Sequence, residues 1–162
     1  MARKFRVIDG CPVPASIAPY VYLVLRKAGQ SANSIYRGTD ARRILERHDK
    51  HDQAWLYANL PPGVANPPGR STHELRSDGV AYPYAPVGRP LEEWQVGVDS
   101  GADTQAARDA VTRAGHFYGW SIKHPYNAGV ELHHWNFGRR PVARTARTRA
   151  RVIWLRARLP RR

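Results

Sequence analysis

Cysteine is almost absent from this chain, since Cys11 is the only one in 162 residues. A single cysteine cannot form an intramolecular disulfide, and it cannot supply the several thiolates of a structural zinc site. Any metal ion in this protein must therefore be held by histidine, aspartate or glutamate side chains.

Long apolar runs are missing as well. No stretch reaches the roughly 18 apolar residues that a membrane-spanning helix needs, and the longest candidate is interrupted by Pro19. A secretory signal has a continuous apolar core after its basic residues. The N-terminus here is basic, but no such core precedes its prolines. We therefore expect a protein that is made in the cytoplasm without a signal peptide or a transmembrane segment.

Acidic residues are missing from residues 139–162, which contain ten arginines. The formal net charge of the chain is +13, from 26 Lys and Arg against 13 Asp and Glu, and without this segment the balance is 16 against 13, or +3. We therefore divide the chain into a domain over residues 1–138 and an Arg-rich tail over residues 139–162. Such a tail is typical of an anchor for an anionic surface, whether nucleic acid, phospholipid or a wall polymer.

Nucleic acid binding is one alternative for so basic a chain, because its five Trp and eight Tyr could stack on bases. However, the positive charge is confined to the tail, and the chain has no recognised nucleic-acid-binding motif. We therefore expect no specific nucleic acid partner. A basic nucleic-acid-binding protein remains the competing hypothesis.

The order of apolar stretches and breakers predicts an α+β fold in one globular, monomeric domain. Helices are expected over residues 15–28, ended by Gly29, and over 41–49, after a cap at Thr39 or Asp40. Residues 51–60 continue that second helix or form a short one of their own, and a further helix lies within 102–117, opened by Asp103 and ended by Gly115. A buried strand is expected within residues 94–101, and a hairpin over 118–127 and 129–137. These elements predict a small antiparallel sheet with flanking helices and long loops.

The chemistry-bearing residues cluster near the end of the domain. Glu131, His133 and His134 lie on a predicted buried strand beside Trp135, where an unpartnered charge would cost several kcal/mol. A metal ion would remove that cost, and catalytic zinc takes three ligands from His, Asp and Glu. Further candidate ligands are His73 and Asp99. The alternative is that all of these are scattered polar positions in a loop-rich protein.

Four separated segments carry a resemblance to a known family. The segments "STH" at 71–73, "GVD" at 97–99 and "ELHHW" at 131–135 resemble the VanY-like zinc D-Ala-D-Ala carboxypeptidases and dipeptidases, especially the peptidoglycan endopeptidase domains of bacteriophage endolysins. The segment "SIYRG" at 34–38 is similar to the family's Tyr-Arg element. The resemblance covers roughly residues 15–137 and implies one zinc ion on the sheet.

The resemblance also implies a role for each matched residue. His73, Asp99 and His134 would be the zinc ligands, and Glu131 would be the general base for the attacking water. Arg37 would contact the substrate near the scissile bond, since a guanidinium can hold a carboxylate or an oxyanion with two parallel donors. The residues Ser71, His133 and Trp135 would support the ligands or contact the substrate.

Two ligand assignments stay open at the level of sequence. The family places its Asp seven residues after the first His, but position 80 is Val, so Asp78 competes with Asp99. On a regular strand Glu131 shares a face with His133 rather than with His134. A site that contains both Glu131 and His134 therefore requires a bulge, or a strand that ends near His133.

The function implied by the resemblance is hydrolysis of amide bonds in the peptide stem or cross-link of bacterial peptidoglycan. A wall hydrolase made without a signal peptide fits a phage endolysin that acts after its release from the host cytoplasm. The Arg-rich tail could then bind an anionic wall polymer or the membrane surface. A metal-free cell-wall-binding domain is the third hypothesis.

Overall fold

The computed structural model describes residues 4–37, 53–62, 71, 73–74, 92–124 and 131–161. The predicted α+β class is confirmed, with helices packed against two antiparallel sheets in these ranges. The strands are β1 (Phe5–Ile8), β2 (Cys11–Pro14), β3 (Ala32–Ser34), β4 (Val98–Ser100), β5 (Ile122–Lys123) and β6 (His134–Phe137). The helices are α1 (Ala18–Ala28), α2 (Gln53–Asn59), α3 (Gln105–Phe117) and α4 (Ala146–Arg158), with a short 3-10 helix at Glu93–Gln95.

Strands β1 and β2 form a hairpin that was not predicted from the sequence. Its two-residue loop is Asp9-Gly10, with φ of 50° and 80°, as a tight hairpin turn of this type requires. The Asp9 carboxylate accepts a bond from the backbone N–H of Ala32 at 2.8 Å and pairs with Arg26. The hairpin is thereby fixed to the end of α1 and to β3.

Helix α1 is the centre of the hydrophobic core. Pro19 stands in its first turn, where a missing N–H costs nothing, and Gly29 ends it in the left-handed conformation with φ of 66°. The helix therefore ends where the sequence predicted. Its buried residues include Val21, Val24 and Leu25, and it packs against β1, α3 and α4.

Helix α3 differs from its prediction at both ends. Its N-cap is Thr104, whose side chain accepts from the N–H of Ala107, and not Asp103. The helix also runs past Gly115 to Phe117. A Cβ on Gly115 would clash with the side chain of Ile122, so the glycine is needed for that close contact. The glycine therefore marks helix–sheet packing here instead of a helix end.

The four-stranded sheet has the order β3-β4-β6-β5 and is antiparallel throughout. Strands β5 and β6 pair as predicted, although residues 125–130 between them lie outside the described residues. Strand β6 starts at His134, later than predicted, because the N–H of His134 closes a turn onto the carbonyl of Glu131 at 3.0 Å. In the register, Asp99 of β4 lies opposite His134 of β6.

The Arg-rich C-terminal segment contains the folded helix α4. Thr145 caps this helix, and its residues Val152 and Leu155 are buried in the same core as α1, together with Leu159. The N–H of Val7 donates to the carbonyl of Pro160 at 3.1 Å, which joins the end of the segment to β1. Across the described parts of the chain, every helix is too short or too polar to cross a bilayer.

Candidate metal centre

Three buried titratable side chains meet at one end of the sheet. Asp99 comes from β4, His134 from the first position of β6, and His73 from the short described segment 73–74. As whole residues they are 5%, 2% and 4% exposed, respectively. Their ligand atoms lie within 4.8 Å of one another, so the group could hold a metal ion.

His73 is fixed by contacts with the chain that follows β3. Its Nδ1 lies 2.5 Å from the carbonyl oxygen of Ile35, and its own carbonyl accepts from the N–H of Arg37 at 2.9 Å. Because a carbonyl oxygen only accepts, Nδ1 carries the proton and Nε2 keeps a free lone pair. This Nε2 lies 3.2 Å from Asp99 Oδ1.

His134 and Asp99 face each other across neighbouring strands. The Nδ1 of His134 lies 2.7 Å from Asp99 Oδ1, the same oxygen that faces His73. The two imidazole rings meet edge to face, with centroids 4.9 Å apart and an interplanar angle of 80°. One carboxylate oxygen therefore lies between two ring nitrogens on rings that are nearly perpendicular.

The second oxygen of Asp99 is bound by Arg37. The Nη2 of Arg37 donates to Oδ2 at 2.7 Å, its Nε donates to Ser34 Oγ at 2.7 Å, and its Nη1 lies 3.4 Å from Gln53 Oε1. These contacts use one hydrogen on each nitrogen and leave one N–H on each terminal nitrogen. Arg37 thus fixes the orientation of the carboxylate with Oδ1 toward the imidazoles.

The titration of this group follows from its burial and its charges. Burial, followed by the positive charge of Arg37, lowers the pKa of His73 to about 4. Burial alone would raise the pKa of Asp99, but the positive charge of His73 in its protonated form and the hydrogen bond from His134 hold it well below its usual value. At neutral pH the site therefore presents a neutral His73 and an ionised Asp99, the forms that bind a metal ion.

The chemistry of these donors fits a small divalent cation. The lone pair of His73 Nε2 faces a negatively charged oxygen, and two acceptors at 3.2 Å are stabilised by a cation between them. With bonds of about 2.0–2.2 Å, neighbouring ligands of a tetrahedral zinc ion are about 3.4 Å apart. The distance between His73 Nε2 and Asp99 Oδ1 is close to that value, and His134 Nδ1 would move about 0.7 Å away from Asp99 Oδ1 to reach it.

Glu131 and His133 lie in the turn that leads into β6. The backbone of Glu131 has a φ of 47°, which is uncommon for a residue other than glycine, and its side chain is exposed. The side chain of His133 lies at the rim of the site, with Nδ1 3.1 Å from Asp103 Oδ1 and Nε2 3.9 Å from Asp99 Oδ1. Because β6 begins only at His134, the strand alternation that opposed a pairing of Glu131 with His134 does not apply.

The remaining predicted site residues occupy different surroundings. Ser71 is buried, and its Oγ accepts from the backbone N–H of His73 at 3.3 Å. Trp135 is 1% exposed, and its Nε1 donates to Ser100 Oγ at 2.9 Å, so its ring packs in the core behind the site. Asp78, the rival ligand, lies outside the described residues.

Four residues that position the site were not predicted from the sequence. The carbonyl of Ile35 and the side chains of Ser34, Gln53 and Asp103 each orient a site residue. A backbone carbonyl gives no sequence signal at all. Gln53 is 1% exposed, but a single glutamine gives no sequence signal of its burial, and the place of Asp103 at the start of a predicted helix favours a cap.

Comparison with known proteins adds no relative for this chain: no family model, no curated protein and no solved structure matches it. The candidate metal centre therefore rests on the geometry of His73, Asp99 and His134 alone.

Proposed function

We propose that this chain is a zinc-dependent peptidase that hydrolyses amide bonds in the peptide stem or cross-link of bacterial peptidoglycan, as the endolysin of a bacteriophage. One observation carries the proposal. The ring nitrogens His73 Nε2 and His134 Nδ1 converge on the same oxygen, Asp99 Oδ1, in a buried site. Two histidines and one aspartate are the ligand set that the sequence resemblance implies.

His73, Asp99 and His134 would hold the ion. Zinc bound there would supply a Lewis acid for the amide carbonyl and would bring the pKa of a bound water to about 7. Three protein ligands leave a further coordination position for water or substrate, as catalytic zinc sites require. The N–H of His73 Nδ1 would keep donating to the carbonyl of Ile35, which holds the ring in one orientation.

Glu131 would act as the general base. Its carboxylate would take the proton of the attacking water and deliver it to the nitrogen of the leaving amine. Its backbone supports this role, because a left-handed conformation costs an L residue about 1–2 kcal/mol. Glu131 adopts it at a φ of 47° in the turn directly before a ligand, and strain of this kind concentrates at functional sites.

Arg37 would serve the site in two ways. Through Nη2 it holds the carboxylate of Asp99 in the orientation that presents Oδ1 to the imidazoles. The remaining N–H groups of its terminal nitrogens would bind a carboxylate or a developing oxyanion of the substrate. A stem peptide of the cell wall carries such carboxylates.

The test is digestion of purified peptidoglycan, with the released termini identified by mass spectrometry. We expect release that is lost with a chelator and restored by added zinc. Glu131→Gln should release nothing while it keeps its zinc, and His116→Ala, which changes an exposed histidine on α3, should act like the unchanged protein. Full activity of Glu131→Gln would contradict the assignment of the base.

The same experiment separates the competing hypotheses. Retention on the wall without any released fragment would indicate a non-catalytic cell-wall-binding domain. Neither release nor retention, together with salt-dependent binding to DNA, would indicate a basic nucleic-acid-binding protein. New amino and carboxyl termini of defined residues would identify the bond that is cut.

A further inference from the structure

Helix α4 has a second apolar face that points away from the core. Its inner face carries Val152 and Leu155, which are 3% and 4% exposed. At 100° per residue the opposite side of the helix carries a different set of small and apolar residues. These are Ala146, Ala150, Ile153, Trp154 and Ala157, all of them exposed.

The two large side chains of this outer face are unusually open to solvent. Ile153 is 66% exposed and Trp154 is 54% exposed. The apolar surface continues beyond the helix onto α1, where Tyr22 lies beside Ala150 and Trp154 along a shallow groove. An isolated exposed apolar side chain needs no explanation, but a continuous strip along one face of a helix does.

Arginines border this strip on both sides. By the same helical geometry Arg147, Arg151 and Arg158 lie along one border, and Arg149 and Arg156 lie along the other. All five are exposed, and residues 139–162 contain no acidic side chain that could neutralise them. The guanidinium of Arg158 lies over the ring of Trp154, 4.6 Å from its centroid.

We propose that the outer face of α4 binds the surface of an anionic phospholipid membrane, with the helix axis parallel to the membrane plane. An anionic membrane surface has charged phosphates above apolar acyl chains, and the helix offers arginines for the first and an apolar strip for the second. Ile153 and Trp154 would enter the boundary between headgroups and acyl chains, while the arginines would pair with the lipid phosphates. Because the inner face stays packed on the core, the domain would bind without unfolding.

Binding to a soluble polyanion would use fewer features of this surface than binding to a membrane. Nucleic acid or an anionic wall polymer would use the arginines, but it would gain nothing from an exposed isoleucine. Tryptophan, in contrast, is enriched at membrane interfaces because its ring is apolar and its N–H is polar. The membrane proposal does not depend on the metal site or on any hydrolytic activity.

The test measures binding of the full chain to vesicles by sedimentation, without any activity assay. We expect binding to vesicles of phosphatidylglycerol and phosphatidylcholine, and little binding to phosphatidylcholine alone. Ile153→Ser and Trp154→Ser should each weaken binding to the anionic vesicles about tenfold. The tryptophan emission of the unchanged protein should shift to shorter wavelength on binding, and Trp154→Ser should lose that shift.

Phe117→Ser is the matched control, because Phe117 is also 66% exposed but lies on α3. It should bind vesicles like the unchanged protein. Arg147→Gln and Arg151→Gln should each weaken binding about fivefold at low salt. Circular dichroism and melting temperature confirm that each of these surface variants is folded.

Two results would overturn the proposal. The first is a failure of the full chain to bind anionic vesicles at low salt. The second is binding that is equally strong in Ile153→Ser and Trp154→Ser and is abolished by an excess of short DNA. That second result would mean that the arginines attract any polyanion and that the apolar strip has no part in binding.

Discussion

Arg37 and Asp99 form an ion pair in which Nη2 lies 2.7 Å from Oδ2, so the two oxygens of one carboxylate face different partners. The side chains are 17% and 7% exposed, which makes the pair largely shielded from water. Because a lone buried carboxylate is costly, the fold depends on this guanidinium as long as Asp99 is ionised. The pair therefore links the stability of the protein to the geometry of the candidate metal centre.

Replacement of the guanidinium should be costly. We expect Arg37→Gln to lower the free energy of unfolding by about 3 kcal/mol, because it leaves a buried charge without its partner. It should also raise the pKa of His73, since Arg37 is one of the groups that lower it. Urea titration and an NMR titration of the metal-free protein measure the two effects. Arg113→Gln, on the exposed side of α3, should change stability by less than about 0.5 kcal/mol.

The metal-free protein should lose stability on mild acidification because of His73. Its pKa is about 4 in the folded state and about 6.5 in the unfolded chain. Between these values the unfolded state binds a proton that the folded state does not, so the free energy of unfolding falls as the pH falls. The loss should amount to about 3 kcal/mol in all.

Denaturant titrations between pH 7 and pH 4 measure the slope of the free energy of unfolding against pH. His73→Asn cannot titrate, yet its amide can still donate to the carbonyl of Ile35, so the slope should become smaller. Part of the slope should remain, because burial also lowers the pKa of His124. Asp99 adds little in this window, because its carboxyl in the unfolded chain takes up a proton only near pH 3.9, and the stability it contributes is lost mainly below that pH. Identical slopes for the two proteins would refute the buried, neutral state of His73.

Local signals predicted the helices that have distinct ends. Gly29 ends α1 as predicted, because a left-handed C-terminal glycine is a strong and purely local signal. The hairpin β1–β2 was missed, because Pro12 and Pro14 argue against a strand. The Asp9-Gly10 pair was the signal that could have found it. In α4 the many arginines hid the helical spacing of its buried residues.

The members of the candidate metal centre could be predicted from the sequence, but their arrangement in space could not. Sequence placed His73, Asp99 and His134 on a list of candidates, but their meeting depends on the pairing of β4 with β6, which brings residues 35 positions apart into contact. The strand boundary at His134 comes from a turn that no local pattern revealed. Contacts such as Arg37 with Asp99 span 62 residues and follow from the tertiary fold alone.

Loss of a ligand should abolish metal binding. We expect His73→Ala, Asp99→Asn and His134→Ala to contain no zinc by elemental analysis after dialysis, while His116→Ala retains it. Zinc at 100 times its dissociation constant should stabilise the unchanged protein by about 2.7 kcal/mol. That stabilisation, measured as a shift in melting temperature, should vanish in the three ligand variants. Retention of zinc by all three would show that the ion binds elsewhere.

The close packing of α3 on β5 should make Gly115 sensitive to the smallest substitution. A Cβ at this position would clash with the side chain of Ile122. We expect Gly115→Ala to lower the free energy of unfolding by about 1–3 kcal/mol, despite the higher helix propensity of alanine. In the double variant Gly115→Ala with Ile122→Ala, the shortened side chain at position 122 should leave room for the new methyl group, so the two changes together should cost less than the sum of their separate effects. A coupling energy close to zero in this cycle would contradict the contact.

The backbone of Glu131 should reveal a conflict between stability and catalysis. Its φ of 47° suits asparagine better than glutamate, because the short amide of asparagine tolerates the left-handed conformation. We therefore expect Glu131→Asn to raise the free energy of unfolding by up to about 1 kcal/mol while it abolishes peptidoglycan hydrolysis and leaves zinc bound. Glu131→Gln, which keeps the length and the strain of the side chain, should lose the activity without gaining stability. A variant Glu131→Asn that is both less stable and fully active would contradict the strain and the assigned base together.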